Sequence, residues 1–124
     1  MSAFRELGSI RPKPIWDGVL ARIVQGKLVT MSIVELEPDV TVPEHRHENE
    51  QLGFVIEGSV TFTVGEETRE LGPGGTWRIL ADIPHHVQVG ANGAVVAEVY
   101  SPVRSDWEQL EPTDEAPVRW PTRT

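Results

Sequence analysis

The chain is a succession of short aliphatic and β-branched runs cut apart by glycine and proline. No stretch of useful length repeats its apolar residues with the 3.6-residue period of a helix. That pattern predicts an all-β domain. Ile15 to Val24 and Lys27 to Leu36 read as strands about Gln25-Gly26, and Pro38-Asp39 turns the chain onward. Gln51 to Glu57 and Ser59 to Val64 read as a hairpin about Gly58. In its second arm Val60, Phe62 and Val64 alternate with Thr61 and Thr63, so one face packs inward while the other meets water. Turns at Gly65-Glu66-Glu67 and Leu71-Gly72-Pro73-Gly74-Gly75 lead to strands at Trp77 to Leu80, His85 to Val89 and Ala94 to Tyr100. Short antiparallel strands at such intervals favour a closed barrel or a jelly-roll sandwich, which protects sheet edges and leaves an interior pocket.

The ends differ from the middle. Arg11-Pro12-Lys13-Pro14 precedes the first strand, and Glu111-Pro112, Ala116-Pro117 and Trp120-Pro121 follow the last. Proline at this density blocks regular pairing, which divides the chain into an extended arm (1–14), a domain (15–107) and a second arm (108–124). Trp120 needs a surface, either a neighbouring subunit or its own tail. At 124 residues one domain can bury a core without staples, and the absence of cysteine excludes disulfides and thiolate metal sites. The balance of 11 basic against 19 acidic residues, a net charge of −8, argues against a nucleic-acid partner. No apolar run approaches membrane-spanning length, and Met1 to Glu6 does not resemble a leader, so a cytoplasmic protein with no membrane partner is expected.

The chemistry concentrates in His45-Arg46-His47-Glu48-Asn49-Glu50-Gln51 and in Pro84-His85. Side chains alternate along a strand, so His45 and His47 point to one face and can share an ion, with Gln51 and His85 as further donors. Glu44, Glu48 and Glu50 interleave with these donors and are expected in solvent, and His86 faces away from His85. Glu98 and Tyr100, two apart on the last strand, both face the interior. Glu98 is the candidate general acid or base, unless it is a rim residue paired with Arg104. Arg104 offers a planar fork for a carboxylate if it turns inward, and is otherwise a solvated charge. Trp16, Trp77, Phe54 and Phe62 read as core residues, with Trp77 able to line a pocket wall and Trp107 able to plug the barrel end.

Two segments resemble the motifs of the small single-domain cupins. Pro43-Glu44-His45-Arg46-His47-Glu48-Asn49-Glu50-Gln51-Leu52-Gly53-Phe54-Val55-Ile56-Glu57-Gly58 is similar to the first motif, and Gly72-Pro73-Gly74-Gly75-Thr76 through Ile83-Pro84-His85 to the second. The resemblance spans roughly residues 28 to 107. It implies a double-stranded β-helix (jelly-roll) barrel with an ion at its mouth held by His45, His47, Gln51 and His85, and it selects His85 over His86. Asp39, Gly75 and Val89 depart from the motifs' usual residues without touching these donors. Within the cupins the chain resembles the pectin-degradation type, which shares the glutamine and ends its last core strand Asp-x-Phe-x-Pro-x-Arg. Here that segment reads Glu98-Val99-Tyr100-Ser101-Pro102-Val103-Arg104. The likeness implies that Glu98, Tyr100 and Arg104 act on the ring of an unsaturated uronate, converting it to a linear keto form. Glu98 is one methylene longer than the family's aspartate.

Neutral imidazoles and an amide oxygen leave a divalent ion near its full charge, which favours an anionic substrate and Lewis-acid polarisation of a carbonyl or hydroxyl. The donors suit one divalent transition metal ion: Zn, Ni, Fe, Mn or Cu. Three functions compete: an isomerase of a sugar acid, a cupin oxygenase or polyketide cyclase with the same ion, and a non-catalytic binding cupin. The first requires polar groups converging on the ion, the second aromatic and aliphatic walls, the third a filled coordination shell. A homodimer is expected by family likeness.

Overall fold

A computed structural model of the chain describes residues 2–121, and its regular structure is almost all antiparallel β. Strands β1 (Lys13–Trp16), β2 (Val19–Gln25), β3 (Thr30–Leu36), β4 (Thr41–His45), β5 (Glu50–Val64), β6 (Glu67–Leu71), β7 (Thr76–Ile79) and β8 (His85–Ser101) follow in order, with short 3-10 turns at Leu7–Ser9 and Ser105–Gln109. Among the described residues no helix is long and apolar enough to cross a membrane.

The long strands β5 and β8 make the architecture. They pair along their whole length, from Glu50 opposite Ser101 to Val64 opposite His85. The first half of β5 and the second half of β8 lie in one sheet with β7 on one flank and β3, β2 and β1 on the other; the remaining halves lie with β4 and β6. Each long strand therefore serves both walls of the jelly roll. Val19, Val34, Leu36, Val60, Phe62, Val87 and Val96 fill the space between the walls. Burying each such side chain stabilises the fold by about 1.5–3 kcal/mol before entropy is counted.

The passage from one wall to the other corrects two sequence expectations. Gly58 does not close a hairpin; it sits in a bulge of an unbroken β5 with φ of 79°, and a Cβ there would lie 2.1 Å from the Gly93 carbonyl oxygen. The strands expected at His85 to Val89 and Ala94 to Tyr100 are likewise one strand, β8, that bends opposite Gly58. Conversely, the single strand expected from Ile15 to Val24 is broken at Asp17-Gly18, and β1 folds back on β2.

The terminal segments are more firmly held than proline content implies. Ile10 and Pro12 are buried, and Lys13 and Pro14 already belong to β1. Arg22, 1% exposed on the outer face of β2, donates to the carbonyls of Ile10 (2.6 Å) and Ala116 (2.8 Å) and pairs with Glu35 at 3.4 Å. One guanidinium thus ties both ends of the chain to the barrel. Trp120 remains partly exposed, and residues 122–124 of the second arm, with Met1 of the first, lie outside the described residues.

Candidate metal centre

His45 ends β4 and His85 begins β8, and the ladder between these strands sets the two residues directly opposite each other. His47 lies in the connection to β5 rather than on β4, so strand parity is not what places it beside His45. Its imidazole is turned into the barrel by a hydrogen bond from Nδ1 to the Asn49 carbonyl (3.0 Å), and Asn49 itself is buried, donating to the Pro102 carbonyl at 2.5 Å. The ligand atoms of His45, His47 and His85 all lie within 4.8 Å of one another. His86, adjacent to His85, is outside this cluster, and Glu44, Glu48 and Glu50 are exposed.

The tautomers follow from the partners. Nδ1 of His45 meets the Pro43 carbonyl at 2.8 Å, Nδ1 of His47 the Asn49 carbonyl, and Nδ1 of His85 the Ile83 carbonyl at 2.8 Å. A carbonyl only accepts, so each Nδ1 carries the proton and each Nε2 presents a lone pair. His85 Nε2 is buried with no hydrogen-bond partner. His47 Nε2 lies 3.1 Å from Gln51 Oε1, two acceptors face to face. Lone pairs gathered in this way fit a cation between them, and the observed donor set of imidazole nitrogens and one amide oxygen suits a divalent transition metal. Burial holds the His85 pKa down to about 4, opposed by its bond to Ile83 and reinforced by His45, His47 and Arg104. Burial, then the Arg104 charge, lowers that of His47. Both rings are neutral near pH 7, the form a metal requires.

Behind Gln51 lies a buried polar cluster. Glu98 is 8% exposed, and its carboxylate accepts from Trp77 Nε1 (3.1 Å), from the Tyr100 hydroxyl (2.9 Å) and from the Gln51 amide nitrogen. Burial raises the Glu98 pKa while these three donors oppose the rise, and burial followed by the Glu98 charge pushes Tyr100 well above its ordinary value. The expectation that Glu98 and Tyr100 both face the interior is met; the alternative of a rim ion pair with Arg104 is not what the structure shows. Gly53 makes the arrangement possible. A Cβ at that position would stand 2.6 Å from Trp77 Cζ2, so only a glycine on β5 lets the indole lie close enough for its N–H to reach Glu98.

Arg104 does turn to the barrel mouth, with its side chain only 12% exposed, but it arrives already paired. Its Nε and Nη2 meet the two oxygens of Asp106 at 3.1 and 3.0 Å, and its guanidinium stacks 4.1 Å from the Trp107 ring and 5.0 Å from the Tyr100 ring. The bond to Arg104 lowers the Asp106 pKa. Thr30 Oγ1 accepts from the Arg104 backbone N–H at 2.8 Å and fixes the start of this turn. Asn49, Asp106 and the 3-10 turn that carries Trp107 were not identified as site components from sequence. Asn49 acts through the distant Pro102 and Val103 carbonyls, which no local spacing encodes, and Asp106 through a side-chain pair with Arg104, two residues away, that forms once the turn folds.

His45, His85, Gln51, Glu98, Tyr100 and Arg104 supply the polar lining of a cavity of about 250 Å³; Val34, Leu36, Val60, Phe62, Val87, Val96 and Trp107 form much of the rest. Trp77 and Trp107 both line it; of the aromatics expected in the core Phe62 and Trp77 are buried, whereas Trp16, stacked on His45 with ring centroids 5.2 Å apart, and Phe54 on the other face of β5 are exposed. The architecture can therefore hold an ion at the mouth and a small molecule beneath it.

Comparison with known proteins bears on the fold that carries this site. The cupin domain matches residues 32–100, while no curated protein sequence matches the chain. Among solved structures, the chain is similar to KdgF from Halomonas sp. (TM-score 0.78, 21% identity, 86% of this chain and 98% of that one). It is also similar to an RmlC-like cupin from Shewanella frigidimarina (0.79, 17%, 86% and 96%) and, over 79% of its length and 29% of the other's, to a variant of oxalate decarboxylase from Bacillus subtilis (0.70, 20%). These identities speak for the fold; with the family match across more than half of the chain, they place this protein among the cupins.

Proposed function

We propose that this small cupin is a metal-dependent enzyme acting on an anionic small molecule, with ring opening of an unsaturated uronate to its linear keto form as its reaction. The observation that carries the reading is the set of three Nδ1–H···O=C locks, which leave three Nε2 lone pairs beside Gln51 Oε1 at the mouth of the cavity. His45, His47, His85 and Gln51 would hold the ion. Bound there, it would supply Lewis acidity toward a substrate oxygen.

The chain's own residues supply the rest. Arg104 has spent one edge of its guanidinium on Asp106, which leaves its other edge for a substrate carboxylate. The Tyr100 hydroxyl and Glu98 Oε1 share a proton-bearing contact at the cavity wall, the natural station for a proton moved during ring opening. Burial raises the Glu98 pKa against its three donors, which makes its carboxylate a readier acceptor for a proton from Tyr100 or substrate. The aliphatic floor excludes water. That floor also favours a second reading, an oxygenase or cyclase acting on an aromatic molecule, because Val34, Leu36, Val60, Phe62 and Trp107 would contact rings better than hydroxyls.

Purified protein reconstituted separately with Zn, Ni, Fe(II), Mn or Cu should remove the ultraviolet absorbance of unsaturated uronates. Loss of a flavonol's absorbance with oxygen uptake, and no action on uronates, would replace the first reading by the second. The partner is inferred to be a second copy of the chain: Met31, Leu52, Phe54 and Val99 lie on neighbouring strands of one outer sheet face and are all at least 38% exposed.

A further inference from the structure

We infer that Glu98, through Oε2, is the positioning residue that makes Gln51 a metal ligand. An amide side chain has two faces of similar shape and opposite character: its oxygen offers lone pairs, its NH2 none. Gln51 could turn either toward the histidines, and only one orientation gives a cation an oxygen. The structure shows what selects it. Glu98 Oε2 accepts from the Gln51 amide nitrogen, which directs Oε1 to within 3.1 Å of His47 Nε2.

Glu98 is itself constrained. Trp77 Nε1 donates to the same oxygen at 3.1 Å, and the Tyr100 hydroxyl donates to the other at 2.9 Å. Gly53 leaves the indole its place, and Gln51, at 5% exposure, has no solvent with which to satisfy a reversed amide. A chain of contacts therefore runs from Gly53 through Trp77 and Glu98 to Gln51 and ends at the His47 nitrogen. Reversing the amide would put NH2 against the Nε2 lone pair and the amide oxygen against a carboxylate, costing the Gln51 bond to Glu98 and closing the ion's place with a proton donor. Gln51 is the only uncharged oxygen donor among the proposed ligands, so the oxygen in the coordination shell depends on a carboxylate that does not touch the ion.

This rests on the metal reading proposed above, but concerns affinity rather than turnover. It also gives the two oxygens of Glu98 separate tasks: Oε2 orients Gln51, while Oε1 faces Tyr100. Cobalt(II) alone serves as the probe, with affinity measured by competition against a chelator and the visible spectrum of the bound ion recorded. Glu98→Ala should weaken cobalt binding about 10–100-fold, the usual effect of removing an outer partner of a ligand. Glu98→Gln can keep its oxygen toward Gln51 and Trp77 while its NH2 donates to Tyr100, so its affinity and spectrum should stay near wild type. In a Gln51→Ala background, Glu98→Ala should cause no further loss, because the effect passes through Gln51.

Equal losses from Glu98→Ala with and without Gln51, or no loss in either, would overturn the positioning role while leaving the metal reading intact. Failure of the wild-type chain to bind cobalt at all would overturn both. Should Glu98→Ala not fold, Glu98→Asp, which withdraws the carboxylate by one methylene, takes its place with the same expectations.

Discussion

Replacing Gly53 with alanine should unseat Trp77 and, through it, the polar cluster under the metal centre. The added methyl would stand 2.6 Å from Trp77 Cζ2, 2.7 Å from Cε2 and 2.6 Å from the Ala97 carbonyl oxygen. Ordinary contact begins near 3.4 Å, so the indole or β5 must retreat by roughly 0.8 Å. Neither moves without breaking packing or pairing, although the indole borders the cavity on one side. Trp77 is 7% exposed and packs against Phe62 with ring centroids 4.9 Å apart, while β5 is hydrogen-bonded to β7 and β8 on both sides. Overpacking of this kind costs about 1–3 kcal/mol. Losing the 3.1 Å bond from Trp77 to Glu98 adds about 1 kcal/mol. The expected total is about 2–4 kcal/mol, read by urea denaturation of metal-free protein and by a blue or red displacement of tryptophan emission. For a chain of this size it corresponds to a fall in Tm of roughly 3–6 °C per kcal/mol. A Gly53→Ala chain within about 0.5 kcal/mol of wild type would refute the close-approach reasoning.

Other perturbations test separate links. Arg22→Met leaves Glu35 and the Ile10 and Ala116 carbonyls without their cation and should cost about 3–5 kcal/mol, with early protease cleavage in both terminal segments; Arg22→Met with Glu35→Leu should recover much of the loss. In metal-free protein, the lowered His85 pKa means that the unfolded chain takes up a proton below about pH 6.5 that the fold refuses until about 4. Stability should therefore be lost as pH falls through that window, by at most about 3 kcal/mol; His85→Phe should flatten the loss in urea titrations at several pH values. Glu98 works with the opposite sign: its raised pKa lets the fold take up a proton before the unfolded chain does, so wild type gains stability from it as pH falls toward the ordinary carboxylate range, a gain that Glu98→Gln should lack. Leu52→Glu on the outer sheet face should shift a dimer to monomer in size-exclusion chromatography with light scattering, and an unchanged mass would reject that face as the contact.

Much of this was legible in residue types. Alternation along Val60, Phe62 and Val64 reports an inward face whatever the neighbouring strand does, and the apolar core follows it. Glycine was less transparent. A positive φ serves a hairpin or a bulge equally, and the choice at Gly58 depended on Gly93, distant in sequence but in contact across the ladder. At the site, spacing identified the histidines but not how they meet: His45 and His85 are joined by pairing of β4 with β8, and His47 by a loop bonded through Asn49 to the segment before Arg104. Arg104 was readable only as a cation that either turned inward or stayed solvated, and its capture by Asp106 required the 3-10 turn to form.

The most direct test is a crystal structure of the cobalt(II)-loaded, tag-free chain, with the ion located by its anomalous scattering. One ion per chain, bonded at about 2.0–2.2 Å to Nε2 of His45, His47 and His85 and to Gln51 Oε1, is the predicted result. An ion bound elsewhere, or the three imidazoles turned away from it, would contradict the account.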